Sequence, residues 1–103
     1  MTYEMYEDFI RTCRKWINLR IEIKGLKHLM KKANKDKKAE LAEKLWKKQI
    51  KKQQTQYELM RHPYFRYLMK KYQPKEVWAM ILKGGIPKVE DKVIICTLIG
   101  WCK

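Results

Sequence analysis

The chain contains no serine, only two histidines and only four glycines among its 103 residues. These scarcities remove the usual catalytic arrangements. No Ser-His-acid set can be assembled, His28 and His62 are remote in sequence, and Lys83-Gly84-Gly85 falls short of a glycine-rich phosphate loop ending in lysine. The expectation is therefore a protein that is not an enzyme and uses no cofactor. Cys13, Cys96 and Cys102 are odd in number and too widely placed for a disulfide framework. Neither histidine has a second ligand at the short spacing that prearranges zinc, so no metal site is expected. Long hydrophobic runs are also missing: the longest wholly apolar stretch, 77–82, is far below the roughly 20 residues that span a bilayer. The opening MTYEMYEDFI is acidic and lacks the basic segment and cleavage pattern of a secretory signal, so the chain is expected to be cytoplasmic.

Acidic residues are scarce as well. Eleven Asp and Glu face 25 Lys and Arg, a formal balance of +14. Much of the excess sits in KGLKHLMKKANKDKKAELAEKLWKKQIKK, residues 24–52, where twelve lysines meet only Asp36, Glu40 and Glu43. Self-repulsion of that order opposes compaction, so an anionic partner or plain solubility must be the compensation. Disorder is not the answer, because 46% of the residues are hydrophobic and twelve are aromatic.

The apolar periodicity is helical. Tyr6, Phe9, Cys13, Trp16, Leu19, Ile23, Leu26, Met30 and Ala33 recur at steps of three and four, with Thr2 as an N-cap type and Glu4, Glu7 and Asp8 at the positive dipole end. Gly25 weakens the middle of this helix by up to about 1 kcal/mol relative to alanine. Asn34, as a left-handed C-cap, and Asp36, as the next N-cap, suit a turn into a second helix over 37–61. Its inward face is expected to be Ala39, Ala42, Trp46, Ile50, Gln53, Tyr57 and Met60, broadened by Leu41 and Leu45. Glu40 and Lys44, like Glu43 and Lys47, form acid-before-base pairs at four-residue spacing. Pro63 and Pro74 each suit the first position of a helix, giving short helices over 63–72 and 75–82, the latter stopped at Gly84-Gly85. Residues 89–102 fit a strand or a helix, and a lone strand would have no partner, so a helix is expected.

The expected fold is thus all-α: a long antiparallel helical hairpin with two or three short C-terminal helices packed at one end. It is read as one domain over residues 1–103, comprising a basic helical hairpin at 1–61 and a short-helix subdomain at 62–103.

At 100° per residue, Arg20, Lys24, Lys27 and Lys31 fall on one ridge of the first helix. Lys37, Lys44, Lys48 and Lys51 fall on one ridge of the second, with Lys52 beside them. Lysine ammonium groups in such rows displace the counterions condensed on phosphate backbones, so nucleic acid, DNA or RNA, is the first expected partner. Base readout is not expected, because the rows lack the arginine, asparagine and glutamine that address base edges. In RHPYFRYLMKKYQ, Arg61, Arg66, Lys70 and Lys71 alternate with Tyr64, Phe65, Tyr67 and Tyr72; this pattern suits stacking on single-stranded bases, and equally suits a packed core. Trp16, Trp46, Trp78 and Trp101 are read as core residues, and Trp46→Ala is expected to cost about 3 to 5 kcal/mol.

The alternative partner is a protein: a phage or mobile-element product could use the same basic face to inhibit or adapt a larger nucleoprotein machine. Membrane binding is disfavoured because Trp16 and Trp46 are expected inside and the ridges lack exposed apolar neighbours. The long stripe of the first helix exceeds what the short helices can cover, which favours a homodimer.

Overall fold

The computed structural model describes residues 2–100, and these form five helices and no strand: α1 (Glu4–Lys32), α2 (Lys35–Arg61), α3 (Pro63–Lys71), α4 (Pro74–Lys83) and α5 (Asp91–Ile99). The fold is all-α, with α1 and α2 as a long antiparallel hairpin and three short helices after it. Trp101 and Cys102 lie outside the described residues. Two compact units divide the chain, and the division runs through α1 and α2: a terminal unit of Met1–Cys13 and Glu58–Lys103, and a hairpin unit of Arg14–Tyr57.

In the terminal unit the core gathers Phe9, Cys13, Leu59, Tyr64, Phe65, Tyr67, Leu68, Val77, Ile81, Ile86 and Ile94. Helix α3 packs against both α4 and α5. Its start is held by His62, whose extended backbone precedes Pro63 at the first turn and whose Nδ1 accepts the Tyr64 N–H at 3.1 Å. The other ring nitrogen, Nε2, then carries the proton and donates to Asp8 at 2.8 Å, linking α3 to α1. Helix α4 ends as its glycines require, with Gly84 left-handed at φ 76° and its N–H bonded to the Met80 carbonyl.

Three cap assignments change. Thr2 does not cap α1. The Asp91 carboxylate, at the head of α5, accepts the Met5 N–H at 3.0 Å, while the Asp91 N–H donates to the Thr2 carbonyl at 3.0 Å. A free N-terminal amide near the positive dipole end is thereby satisfied by a carboxylate 86 residues away, which no local pattern announces. Asn34 is not left-handed, since no described non-glycine residue has positive φ. It is instead the N-cap of α2: its side-chain oxygen accepts the Lys37 N–H at 3.0 Å, and Asp36 lies inside the first turn. Helix α1 runs through Gly25 without a break.

Tyr64 is completely buried and joins three parts of this unit. Its ring stacks on Phe9 with centroids 5.1 Å apart, and its hydroxyl donates to the Pro87 carbonyl and accepts the Val89 N–H at 3.0 Å. Burial pushes the phenol up to about 12, against the opposing effect of the Val89 hydrogen bond. Because the folded state holds the proton more tightly than the unfolded chain, this contribution is complete below about pH 10 and is lost as pH rises toward 12. Tyr64→Phe should leave the Pro87 and Val89 groups unpartnered and lower the unfolding free energy by about 1 to 3 kcal/mol in urea denaturation at pH 7. The gap between variant and wild type should narrow when the titration is repeated at pH 11.

Candidate nucleic-acid interface

Charge and burial separate between the two units. The hairpin unit holds fifteen Lys and Arg against Glu22, Asp36, Glu40 and Glu43, a balance of +11 that leaves only +3 for the terminal unit. Its buried side chains are Trp16, Leu19, Ile23 and Thr55, and none lies between residues 24 and 54. The stripe of α1 is covered within the chain from Phe9 to Ile23 and then loosens: Leu26, Met30 and Ala33 are half-buried, and Leu29 is exposed. The apolar surface left open along this stripe therefore lies beyond Ile23, at Leu29 above all, which is 53% exposed.

The second helix is turned differently from the expected arrangement. Ala39, Ala42, Trp46, Gln53, Tyr57 and Met60 are exposed and Ile50 is only half-buried, while Leu41, Leu45, Lys48, Lys52 and Gln56 are half-buried and Thr55 and Leu59 are buried. The indole of Trp46 is 61% exposed, so its assignment to the core is wrong. Two apolar rows about 100° apart run along α2, and the row containing Leu45 and Leu59 faces inward in place of the row containing Trp46. Thr55 joins the inner row at little cost because its hydroxyl donates to the Lys51 carbonyl of its own helix at 2.8 Å.

This rotation decides where the lysines go. Lys48 reaches across to Glu22 at 2.6 Å, and Glu22, Leu26, Leu29, Lys44 and Lys48 line one open groove. A second groove continues along Leu29, Lys32, Ala33, Lys37, Glu40, Leu41 and Lys44. The α2 ridge therefore flanks the grooved face, with Lys48 engaged and Lys52 half-buried along its stem. Arg20 and Lys24 lie two residues either side of Glu22, and Lys27 and Lys31 two residues either side of Leu29. Each offset is a rotation of about 160°. The α1 ridge consequently points from the opposite face of the hairpin, and the two rows do not merge into one stripe. All four of its cations are exposed, with the Arg20 guanidinium 5.0 Å from the centre of the Trp16 ring. Trp46, also about 160° from Lys48, likewise points away from the grooved face. In the antiparallel register that sets Lys48 against Glu22, it stands level with Lys24.

The remaining candidates, all in the terminal unit, are more dispersed. Arg61, Arg66, Lys70 and Lys71 are exposed, the Lys70 amine donates to the Thr97 carbonyl at 3.4 Å, and Lys71 lies 5.1 Å from the Tyr67 ring centre. Tyr64, Phe65 and Tyr67 are buried and form core, and only Tyr72, half-buried, keeps part of its ring at the surface, so RHPYFRYLMKKYQ offers no row of stacking rings. Burial also pushes the Cys13 thiol up to about 12, which keeps it protonated and unreactive near neutrality. Among the described residues no group of three or more His, Cys, Asp or Glu could hold a metal ion, and no helix is long and apolar enough to cross a membrane. The exposed indole removes one ground for setting membrane surfaces aside, the expectation that Trp46 lies inside. Comparison with protein-family models, curated proteins and solved structures finds no match to this chain.

The rotation of α2 has a direct check. Trp46→Ala should change the urea unfolding free energy by no more than about 0.5 kcal/mol, as for other exposed positions, with circular dichroism unchanged. A loss of about 3 kcal/mol would return the indole to the core.

Proposed function

We propose that this chain is a small basic nucleic-acid-binding protein, accessory or regulatory in role, that holds phosphate backbones through the lysine rows of its helical hairpin. The observation that carries this reading is the concentration of +11 in a unit with no buried side chain between residues 24 and 54. Such a surface is dear to maintain for solubility alone, and phosphate contacts would relieve its self-repulsion. Lysine in place of arginine fits backbone contact without base discrimination.

The open groove favours a second reading, contact with a protein. Leu26, Leu29 and Leu41 form an apolar floor with Lys37, Lys44 and Lys48 at its edges, a pairing that suits an acidic amphipathic segment. A second copy of the chain is a poor occupant, because it would set another +11 against the first. A stoichiometric acidic protein that co-purifies after nuclease treatment would favour this reading.

Fluorescence anisotropy over a salt series tests the nucleic-acid reading. Affinity should fall steeply with salt, and the slope should shrink by about 0.9 for each duplex-phosphate contact removed. Replacing Lys24, Lys27 and Lys31 by glutamine should weaken binding more than replacing Lys44, Lys48 and Lys51, since Lys48 is already paired with Glu22. Helix content should be kept in both, because the two residue types have similar propensities. Absence of binding to any nucleic acid at low salt would overturn the reading.

A further inference from the structure

We infer that the hairpin prefers single-stranded nucleic acid, with Trp46 and Tyr57 as stacking surfaces for unpaired bases; this rests on the nucleic-acid reading above and specifies its substrate. Both rings are more than half exposed, at 61% and 54%. They lie on the same side of α2, eleven residues and therefore about 16 Å apart, within about 20° of each other around the helix. Between them Gln49 and Gln53 are exposed, and each amide can donate to and accept from a base edge.

Exposed aromatic rings on a helix are ordinarily uninformative. Here the surroundings supply the ligand's charge. Trp46 stands level with Lys24, and like Arg20, Lys24, Lys27 and Lys31, all exposed, it points away from the grooved face. A strand whose phosphates follow the α1 row would bring its bases over the α2 row. A duplex can use the lysines but not the rings, since its base faces are stacked inside and only its phosphates are available. A protein ligand would find the apolar floor on the opposite, grooved face, where Leu26 and Leu29 lie. The preference for single strands thus comes from the rotation that puts Trp46 outside, and the lysines alone would not create it.

Labelled oligothymidylate and a labelled duplex of the same length, titrated with the full chain at one moderate salt concentration, give the test. The wild type should bind the single strand more tightly. Trp46→Ala and Tyr57→Ala should each weaken single-strand binding by about 5- to 140-fold while leaving duplex binding unchanged, and Trp46→Phe, which keeps a π face, should retain most of the affinity. Wild-type fluorescence should be quenched on binding the single strand, with the quenching reduced in Trp46→Phe. Equal wild-type affinity for both forms, unmoved by Trp46→Ala, would overturn the stacking surface and leave the phosphate-binding reading intact. Failure to bind either form at low salt would overturn both. Loss of adsorption to phosphatidylserine vesicles in Trp46→Ala, with oligonucleotide binding unaffected, would overturn it in favour of a membrane surface.

Discussion

The ring of Tyr64 lies on Phe9 of α1, within reach of Tyr6 and Tyr67, while its hydroxyl holds the backbone on either side of Lys88. Three stretches distant in sequence are fastened by one side chain that is wholly removed from water. Neighbouring contacts work in the same direction: Asp91 closes the first turn of α1, and His62 joins Asp8 to the start of α3. Helices α4 and α5 both pack on α3, which carries Tyr64, and Phe65 against Trp78 extends the cluster to α4. Aromatic pairs and buried hydrogen bonds each contribute about 0.5 to 1.5 kcal/mol, so a cluster of several is a large share of the stability expected of a chain this size.

The hairpin unit is organised on a different principle. Its helices are long, but isolated helices are marginal in water unless an apolar face is packed. Beyond Ile23 that packing is partial, and what supplements it is polar: the Glu43–Lys47 pair on α2, the Asn34 cap, and the Lys48–Glu22 bridge between the helices, the first and last exposed enough to contribute only tenths of a kcal/mol to about 1 kcal/mol. A surface of this kind keeps its cations available because so little of it is committed to a core. Charge for binding and burial for folding are thus assigned to different residues.

Much of the architecture was legible because helix ends are written in local chemistry. Pro63, Pro74 and Gly84 delimit α3 and α4 to within a residue or two of expectation, and α5 follows from the lack of any partner for a strand. The caps of α1 and α2 were misread for a specific reason. Thr2 and Asp36 are good capping types, but Asp91 reaches α1 from the far side of the sequence and Asn34 uses its side chain before Asp36 can. The face of α2 was misread for another: periodicity finds apolar rows, and two rows one residue apart satisfy it equally. Indole size favoured the row of Trp46, while burial goes to the row of Leu45, Thr55 and Leu59. The lysine rows themselves were visible in the spacing. That they occupy opposite faces was not, because it depends on which row of α2 turns inward.

Native-state hydrogen exchange read residue by residue tests the separation of folding from charge most directly. Amides over 24–54 should open with free energies well below the global value, whereas those around Leu59, Leu68 and Ile81 should exchange only through global unfolding. Uniform protection, with the hairpin amides as slow as those beside Tyr64, would contradict the account by showing that the basic unit is held as firmly as the aromatic cluster.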